Sequence, residues 1–335
     1  VRDPYLDDGD VRLYLGDVVD VLREMDAESV QTCVTSPPYW GLRDYGTGDA
    51  QIGLEASPGA YVARMVQVFR EVRRVLRDDG TLWLNLGDSY ATGGAGAPSA
   101  ASTLAGNGHV GGGDKAAHVS QVTRRAKDLK PKDLLGIPWR VAFALQADGW
   151  YLRSDIVWAK PNPMPESVTD RPTKAHEYLF LLTKAPRYFY DADAIREAAT
   201  TEWNSAEAWA ARQAMTAPEL GKGADTEKQR TRGFGTHHPD EWRNDRNARS
   251  VWTITTKPYA GAHFATFPPE LPERCIKAGT AEGDLVLDPF SGSGTTAFVA
   301  RTLARRAVGI DLNAEYLDLA AERLRQLSLF GQGAA

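Results

Sequence analysis

Only two cysteines occur among 335 residues, Cys33 and Cys275, in unrelated stretches. Neither has a CxxC partner or a histidine at metal-ligand spacing, which excludes a zinc ribbon or a disulfide framework. No apolar run approaches the ~20 residues of a membrane span, and no apolar segment opens the sequence. A soluble, cytoplasmic protein without membrane contact is expected. Positive charge is not in excess either: 39 Lys and Arg stand against 44 Asp and Glu, a net −5. A uniformly basic coat is thereby excluded, so any surface for nucleic acid must be a local patch. With 42% hydrophobic and 25% charged residues, the length suits one large α/β domain or two modest ones.

The most distinctive stretch is Thr35-Ser36-Pro37-Pro38-Tyr39-Trp40. It follows Val30–Val34, a β-branched run that reads as a buried strand. Two prolines end that strand abruptly, since Pro38 keeps Pro37 extended and both φ angles are fixed at about −65°. The result is a stiff shelf with one small hydroxyl, carbonyls that cannot pair locally and two aromatic faces. Such a shelf suits a planar substrate carrying an NH2 group. The lone pair of a nucleobase amine is delocalised into the ring, and acceptors on its two protons draw it toward tetrahedral geometry. Ser36 Oγ and the Pro37 carbonyl could be those acceptors, with Tyr39 stacked on the ring. A loop that merely stops a strand, with Tyr39 and Trp40 as packing, fits the same residues.

Elsewhere Val11–Gly16 alternates as a strand. Asp17 then N-caps a helix through Val18, Val19, Leu22 and Met25. Beyond a loop at Gly41–Gly59, Val62, Met65, Val66, Phe69, Val72 and Leu76 recur at three and four. That spacing predicts a helix over Tyr61–Leu76, closed by Asp78-Asp79-Gly80, and then a buried-type strand, Thr81–Leu86. Gly93–Gly113 is rich in Gly, Ala and Ser and reads as a mobile surface loop. Arg124, Arg125 and Lys127 open a locally basic run that ends near Lys132. A solvated face is its ordinary meaning, and phosphate contact the alternative.

Ile137–Ala147 reads as a helix, and Tyr151–Trp158 and Glu177–Thr183 as strands. Lys160 and Asn162 flank the turn between those strands, as plain turn residues or facing a bound base. From about Asp191 to Ala262 the pattern degrades. Within Lys228–Arg249, six basic residues (Lys228, Arg230, Arg232, Arg243, Arg246, Arg249) outnumber Asp240, Glu241 and Asp245. Interleaved with Trp and Gly, they are what a DNA-contacting insertion needs, though an irregular excursion looks the same. His237-His238 lacks further ligands nearby, so no metal is assigned.

Asp284–Leu287 is a short buried strand leading into Asp288-Pro289-Phe290-Ser291-Gly292-Ser293-Gly294-Thr295-Thr296. A helix follows, then a strand, Arg306–Ile310, ending at Asp311. Glycines let a backbone approach a ligand, and the helix N-terminus offers N–H groups to an anion. Asp311 suits two ribose hydroxyls. Gly292-x-Gly294-x-x-Ala297 also fits a dinucleotide fingerprint. However, Asp311 comes 17 positions after Gly294, short of the usual spacing of ~20, and a dehydrogenase leaves Ser36–Tyr39 without a task.

Ser36-Pro37-Pro38-Tyr39 resembles the [DNS]-P-P-[YFW] motif of amino-methyltransferases that use S-adenosylmethionine (AdoMet). The longer stretch Thr35–Trp40 looks most like DNA N4-cytosine methyltransferases, and Asp288–Thr296 resembles the AdoMet loop of DNA methyltransferases. Having the catalytic motif before the glycine loop resembles the β group of DNA amino-methyltransferases. The resemblance covers nearly the whole chain except about 93–132 and 194–255.

The resemblance implies a Rossmann-like class I AdoMet-dependent methyltransferase fold. This is α/β, with a seven-stranded, mostly parallel sheet, circularly permuted and carrying an inserted DNA-recognition region. The chain would supply strands three to seven first, then one and two, in the spatial order 3-2-1-4-5-7-6. Residues 1–193 would form the catalytic half, 194–262 the target-recognition insertion and 263–330 the AdoMet-binding half.

Implied cofactor contacts are Asp288, Phe290, Gly292, Gly294, Thr295 and Thr296 around the methionine carboxylate. Phe267 would cover the methionine end, Asp17 meet the adenine amine and Asp311 the ribose. Double-stranded DNA is the implied partner, and a cognate restriction endonuclease is a candidate second one. Arg124, Arg125, Lys127, Arg230, Arg232, Arg243, Arg246 and Arg249 are the expected DNA contacts. The expected reaction is in-line methyl transfer to N4 of a flipped cytosine, without metal or covalent intermediate. Cys33, inside a strand, is no nucleophile candidate. An N6-adenine enzyme of the same architecture is the alternative, followed by an inactive DNA-binding protein or a dinucleotide-dependent oxidoreductase.

Overall fold

Apolar runs become the strands of one sheet, and amphipathic runs become helices laid against it. The computed structural model describes residues 2–42, 51–91, 129–198, 245–256 and 268–331. The chain divides into two compact units, Val1–Asp191 with Ser250–Ala335, and Ala192–Arg249.

In the first unit, β1 (Leu6–Asp7) and β2 (Val11–Leu15) form a hairpin, followed by α1 (Val18–Glu24). β3 (Val30–Thr35) is buried along its whole length. Then come α2 (Pro58–Val75), β4 (Leu76–Leu86), α3 (Ile137–Ala147), β5 (Tyr151–Ala159) and β6 (His176–Thr183). Among its described residues the second unit holds a 3-10 turn, Asp193–Ile195, and a short antiparallel pair, β7 (Glu197–Ala198) with β8 (Asp245–Arg246). The first unit resumes with β9 (Val251–Thr253), α4 (Glu270–Gly279) and β10 (Leu285–Asp288). It ends with α5 (Thr295–Thr302), β11 (Arg306–Asp311) and α6 (Ala314–Gly331).

The sheet order is β1-β2-β11-β10-β3-β4-β6-β5-β9. Strands β2, β11, β10, β3 and β4 are mutually parallel, and β6 lies antiparallel between β4 and β5. The seven inner strands thus take the expected permuted order. The sheet has nine strands rather than the expected seven, because β1 folds back on β2 and β9 adds beside β5. Runs of two and three residues carry no readable periodicity, so only the fold reveals them. α1 packs on α2 and α2 on α3, while α4 packs on α5 and α5 on α6. With right-handed crossovers, these two groups cover opposite faces. Trp83, Tyr61, Phe69 and Phe180 are among the largest side chains fully buried.

One junction departs from the sequence reading. α2 buries Tyr61, Met65, Val68, Phe69, Val72 and Val75, and Val62 and Val66 lie at the margin of that stripe. Asp78-Asp79-Gly80 does not close the helix, because β4 already begins at Leu76. The register against β3 jumps from Val30↔Leu76 to Thr32↔Thr81, so three extra residues are accommodated in a bulge. Glycine is required there: a Cβ on Gly80 would lie 2.9 Å from the Arg77 carbonyl oxygen and 3.0 Å from that of Gln31.

Two glycine substitutions should therefore have opposite signs. Gly80→Ala should cost about 1–3 kcal/mol of unfolding free energy, because backbone oxygens cannot move aside. Gly59→Ala, in the exposed first turn of α2 with only Ser57 Oγ at 3.9 Å from the new Cβ, should gain about 0.5–1 kcal/mol. Urea titrations of both variants check the pair, and equal effects would refute the bulge reading.

Candidate active site

β3 and β10 lie side by side, with Val286 opposite Thr32 and Leu287 opposite Cys33. From there the strand order runs outward in both directions, the place where open α/β sheets bind ligands at the strands' carboxyl ends. Asp288 ends β10 and is 2% exposed. Its Oδ1 accepts from the Thr35 hydroxyl at 2.7 Å and the Phe290 N–H at 3.1 Å. Its Oδ2 accepts from the Thr296 hydroxyl at 2.7 Å. One carboxyl group thus joins the strand before the Pro-Pro shelf to the helix after the glycine loop. Burial pushes that carboxyl up to about 6, against the three hydrogen bonds that favour its ionised form, and nearby Asp311 adds to the rise.

In the glycine loop, Gly292 (φ 49°) and Gly294 (φ 73°) are left-handed, a region glycine enters without strain. Their surroundings differ. A Cβ on Gly294 would lie 2.7 Å from Ala320 Cβ, so α6 packs there, whereas one on Gly292 would meet no described atom within 4 Å. The Gly292 N–H donates to Asp311 Oδ2 and the Asn313 N–H to Asp311 Oδ1, both at 2.8 Å. Burial raises the Asp311 carboxyl despite these backbone bonds.

The side chains of Thr295 and Thr296 serve the fold. Thr295 accepts from Arg323 at 3.0 Å, and Thr296 holds Asp288. Gly294 supplies no side-chain cap to α5, so what those threonines offer a ligand is backbone N–H. Phe290 is half-buried against the core. Asp17, at the end of β2, is the N-cap of α1, accepting from the Val19 N–H at 2.8 Å and the Asp20 N–H at 3.2 Å. Its other oxygen accepts from Arg64 at 2.9 Å. β2 and β11 are paired with Leu15 opposite Asp311, which brings these two carboxylates to neighbouring strand ends. An open glycine, helix N–H donors and two carboxylate acceptors make a donor set that fits a nucleoside bearing hydroxyls and a carboxylate.

The shelf lies beside this loop. Ser36, Pro38 and Tyr39 are half-buried and Pro37 is buried. The Tyr39 hydroxyl lies 2.9 Å from Glu177 Oε2, 3.1 Å from Asn85 Oδ1 and 3.3 Å from Ser36 Oγ. Glu177 is ion-paired with Lys160, whose ammonium sits 4.3 Å over the Trp158 ring. Burial, reinforced by Glu177, holds the phenol well above its ordinary range. The Pro38 carbonyl accepts from the Tyr61 hydroxyl of α2, 23 positions along the chain, at 2.9 Å. One expectation for the shelf needs correction. Trp40 is 2% exposed and donates to the Glu55 carbonyl at 2.9 Å, so it packs and presents no free face.

Asn85 and Glu177 carried no role in the sequence reading, although each is a strongly polar residue within a largely apolar strand, TLWLNL and EYLFLLT. Asn162 bonds both ways with the backbone of Thr256, a turn role.

Arg246 and Arg249 belong to the second unit, where both pair with Glu197, at 3.5 and 3.0 Å. Phe267, Arg124, Arg125, Lys127, Arg230, Arg232 and Arg243, and the loop at 93–113, lie outside the described residues. Among the described residues no cluster of three or more metal-ligating side chains occurs, and no helix is long and apolar enough to cross a membrane.

Comparison with known proteins identifies the family. A family model described as DNA methylase, of the N6/N4 type, matches residues 30–322. The Type II methyltransferase M.Cfr9I of Citrobacter freundii is 49% identical over 315 residues, 93% of this chain and 87% of that protein. M.SmaI of Serratia marcescens is 44% identical over 313 residues, covering 93% and 90%. Among solved structures, the cytosine-N4-specific PvuII DNA methyltransferase shares the fold with a TM-score of 0.62 at 19% identity, over 96% of this chain and 89% of that one. A putative DNA modification methylase of Thermus thermophilus, complexed with S-adenosyl-L-methionine, gives 0.54 at 24% identity, over 94% and 93%.

The Asp288 clasp has a pH signature. Its carboxyl binds a proton more tightly folded, at about 6, than unfolded, at about 3.9. Between those values the folded state holds more protons, so this group's contribution to stability is full below about pH 4 and is lost as pH rises through 6. The loss is roughly 3 kcal/mol. Asp288→Asn should remove that slope, so the stability difference between wild type and variant should change between pH 4 and 6 and be flat above 7. Denaturant titrations across this range check it, and a pH-independent difference would refute the buried-carboxyl assignment.

Proposed function

The chain belongs to the N6/N4 DNA methylase family, and on that premise we propose that it transfers a methyl group from AdoMet to the exocyclic N4 amine of cytosine in double-stranded DNA. The observation that carries this reading is the Asp288 clasp, which joins Thr35 to Thr296 and so sets the amine-binding shelf beside the glycine loop.

Bound AdoMet supplies an electrophilic methyl group on a sulfonium. The chain's own residues bind, orient and polarise. The open backbone at Gly292 and the first N–H groups of α5 receive a carboxylate. Asp311 would accept from ribose hydroxyls, Asp17 from the adenine amine beside its capping bonds, and Phe267 would cover the methionine end. Asp288, Phe290 and Gly294 keep the loop in shape, and Thr295 and Thr296 add backbone donors. A target base turned out of the duplex stacks on Tyr39, while Ser36 Oγ and the Pro37 carbonyl accept its amine protons.

Residues 194–262 are assigned to target recognition. Arg124, Arg125, Lys127, Arg230, Arg232, Arg243, Arg246 and Arg249 are assigned to DNA, and a cognate restriction endonuclease is the expected companion. Cytosine is preferred over adenine because of Thr35–Trp40 as a whole, and one fold neighbour is a cytosine-N4-specific enzyme.

Product identity tests the reaction. Incubation with methyl-labelled AdoMet and mixed genomic DNA, followed by digestion and mass spectrometry of nucleosides, should give N4-methyldeoxycytidine. Label in N6-methyldeoxyadenosine would move the target to adenine, and label in 5-methyldeoxycytidine would overturn amine chemistry. Asp311→Ala should weaken AdoMet binding by roughly 1.5–3 kcal/mol, the worth of charge-assisted hydrogen bonds. Unchanged calorimetric affinity in the folded variant would remove Asp311 from the cofactor site.

A further inference from the structure

We infer that Glu177, with Asn85, sets the direction of the Ser36 hydroxyl, so that its lone pairs and not its proton meet the target amine. Resting on the amino-methyltransferase reading above, this role is one of positioning, exerted through Tyr39. The Tyr39 hydroxyl has a single proton and three oxygen neighbours. Two of these act only as acceptors toward it. Glu177 Oε2, at 2.9 Å, belongs to a carboxylate whose other oxygen is ion-paired with Lys160. Asn85 Oδ1, at 3.1 Å, belongs to an amide turned by its own Nδ2, which donates to the Tyr178 carbonyl at 3.1 Å.

The phenol's one proton is therefore directed at this pair of acceptors, with Glu177 Oε2 the nearer. The phenol oxygen can then only accept from the third neighbour, so Ser36 Oγ, 3.3 Å away, donates to Tyr39. With its proton committed there, the serine oxygen keeps its lone pairs for the N–H groups of an amine. A serine free to rotate could instead donate and compete for the amine's lone pair. The phenol is protonated in neutral solution, and burial raises it further above its ordinary value, so this polarity is preserved. The Lys160–Glu177 pair holds the far end in place, with side chains only 11% and 5% exposed.

Single-turnover methylation by the full chain, with AdoMet and DNA affinities measured separately, tests the role. Wild type giving no N-methylated nucleoside would overturn the parent reading and this role together; with product formed, the variants address Glu177 alone. Glu177→Gln places an amide where the carboxylate stood and should slow methyl transfer about 10- to 100-fold, the worth of one charge-assisted hydrogen bond, with both affinities unchanged. Tyr39→Phe should slow it comparably, since it keeps the ring and frees Ser36.

The decisive measurement is the double-mutant cycle. In the Tyr39→Phe background, Glu177→Gln should cost nothing more, because Ser36 is already released. An equal loss from Glu177→Gln in both backgrounds, or a wild-type rate in the single variant, would overturn the inference. Should Glu177→Gln fail to fold, Tyr39→Phe alone decides: a slowed rate at unchanged affinities supports the role, and a wild-type rate ends it.

Discussion

Everything in the first unit's cleft depends on one buried carboxyl group. Asp288 accepts hydrogen bonds from Thr35, 253 positions away in the chain, and from Thr296. The first partner fixes where the Pro-Pro shelf leaves β3, and the second fixes where α5 leaves the glycine loop. The carboxyl is held by neutral hydroxyls and one N–H group, with no cation in direct contact among the described residues. That is why burial prevails over hydrogen bonding and lifts it to about 6. A salt bridge would attach one side chain; two hydroxyls on different segments hold a junction.

The same device recurs along the rim. Asp17 after β2, Asp311 at the end of β11 and Asp88 after β4 each accept backbone N–H groups, some from the turn that follows and some from distant loops. Asp88 takes those of Ser89, Gly136 and Ile137 at 2.9, 3.1 and 3.0 Å. Carboxylates at neighbouring parallel strand ends organise the turns above them, since turn N–H groups need acceptors that the sheet does not supply. The consequence is a rim whose turns are fixed by acidic side chains, one of which, Asp17, is itself paired with Arg64.

What was legible in the sequence follows from range. Asp17 as a cap, Ile137–Ala147 as a helix and the strands around the two motifs depend on neighbours within a few residues, and their patterns survive in the fold. The permuted order was legible only through motif resemblance, because periodicity says nothing about which strands pair. Hidden from the sequence were features decided by distant partners. The bulge at Asp78–Gly80 is set by β3, the packing of Trp40 by Glu55, and the Tyr39 network by β4, β5 and β6. Asn85 and Glu177, set in largely apolar strands, carried no role in the sequence reading. A polar residue in a run that buries both faces needs a partner, and here the partner is Tyr39 of the Pro-Pro shelf.

Permutation is tolerated for a physical reason visible at the seam. A sheet is specified by adjacency and direction, not by chain order, so the strands bearing the two motifs need only be neighbours pointing the same way. The seam between early and late sequence is closed twice. β3 pairs with β10 beneath the Asp288 clasp, and β2 pairs with β11 along Val11–Leu15 opposite Ala307–Asp311. Side chains reinforce the second closure, with Arg301 bonded to Asp8 at 2.6 Å and Tyr5 to Asp318 at 2.6 Å. β10 and β11 therefore lie between β2 and β3, inserted into a sheet whose flanking strands come early in the chain. With β10 in place between β11 and β3, Asp288 stands beside Thr35 and also holds Thr296, so the Pro-Pro shelf and the glycine loop share one anchor.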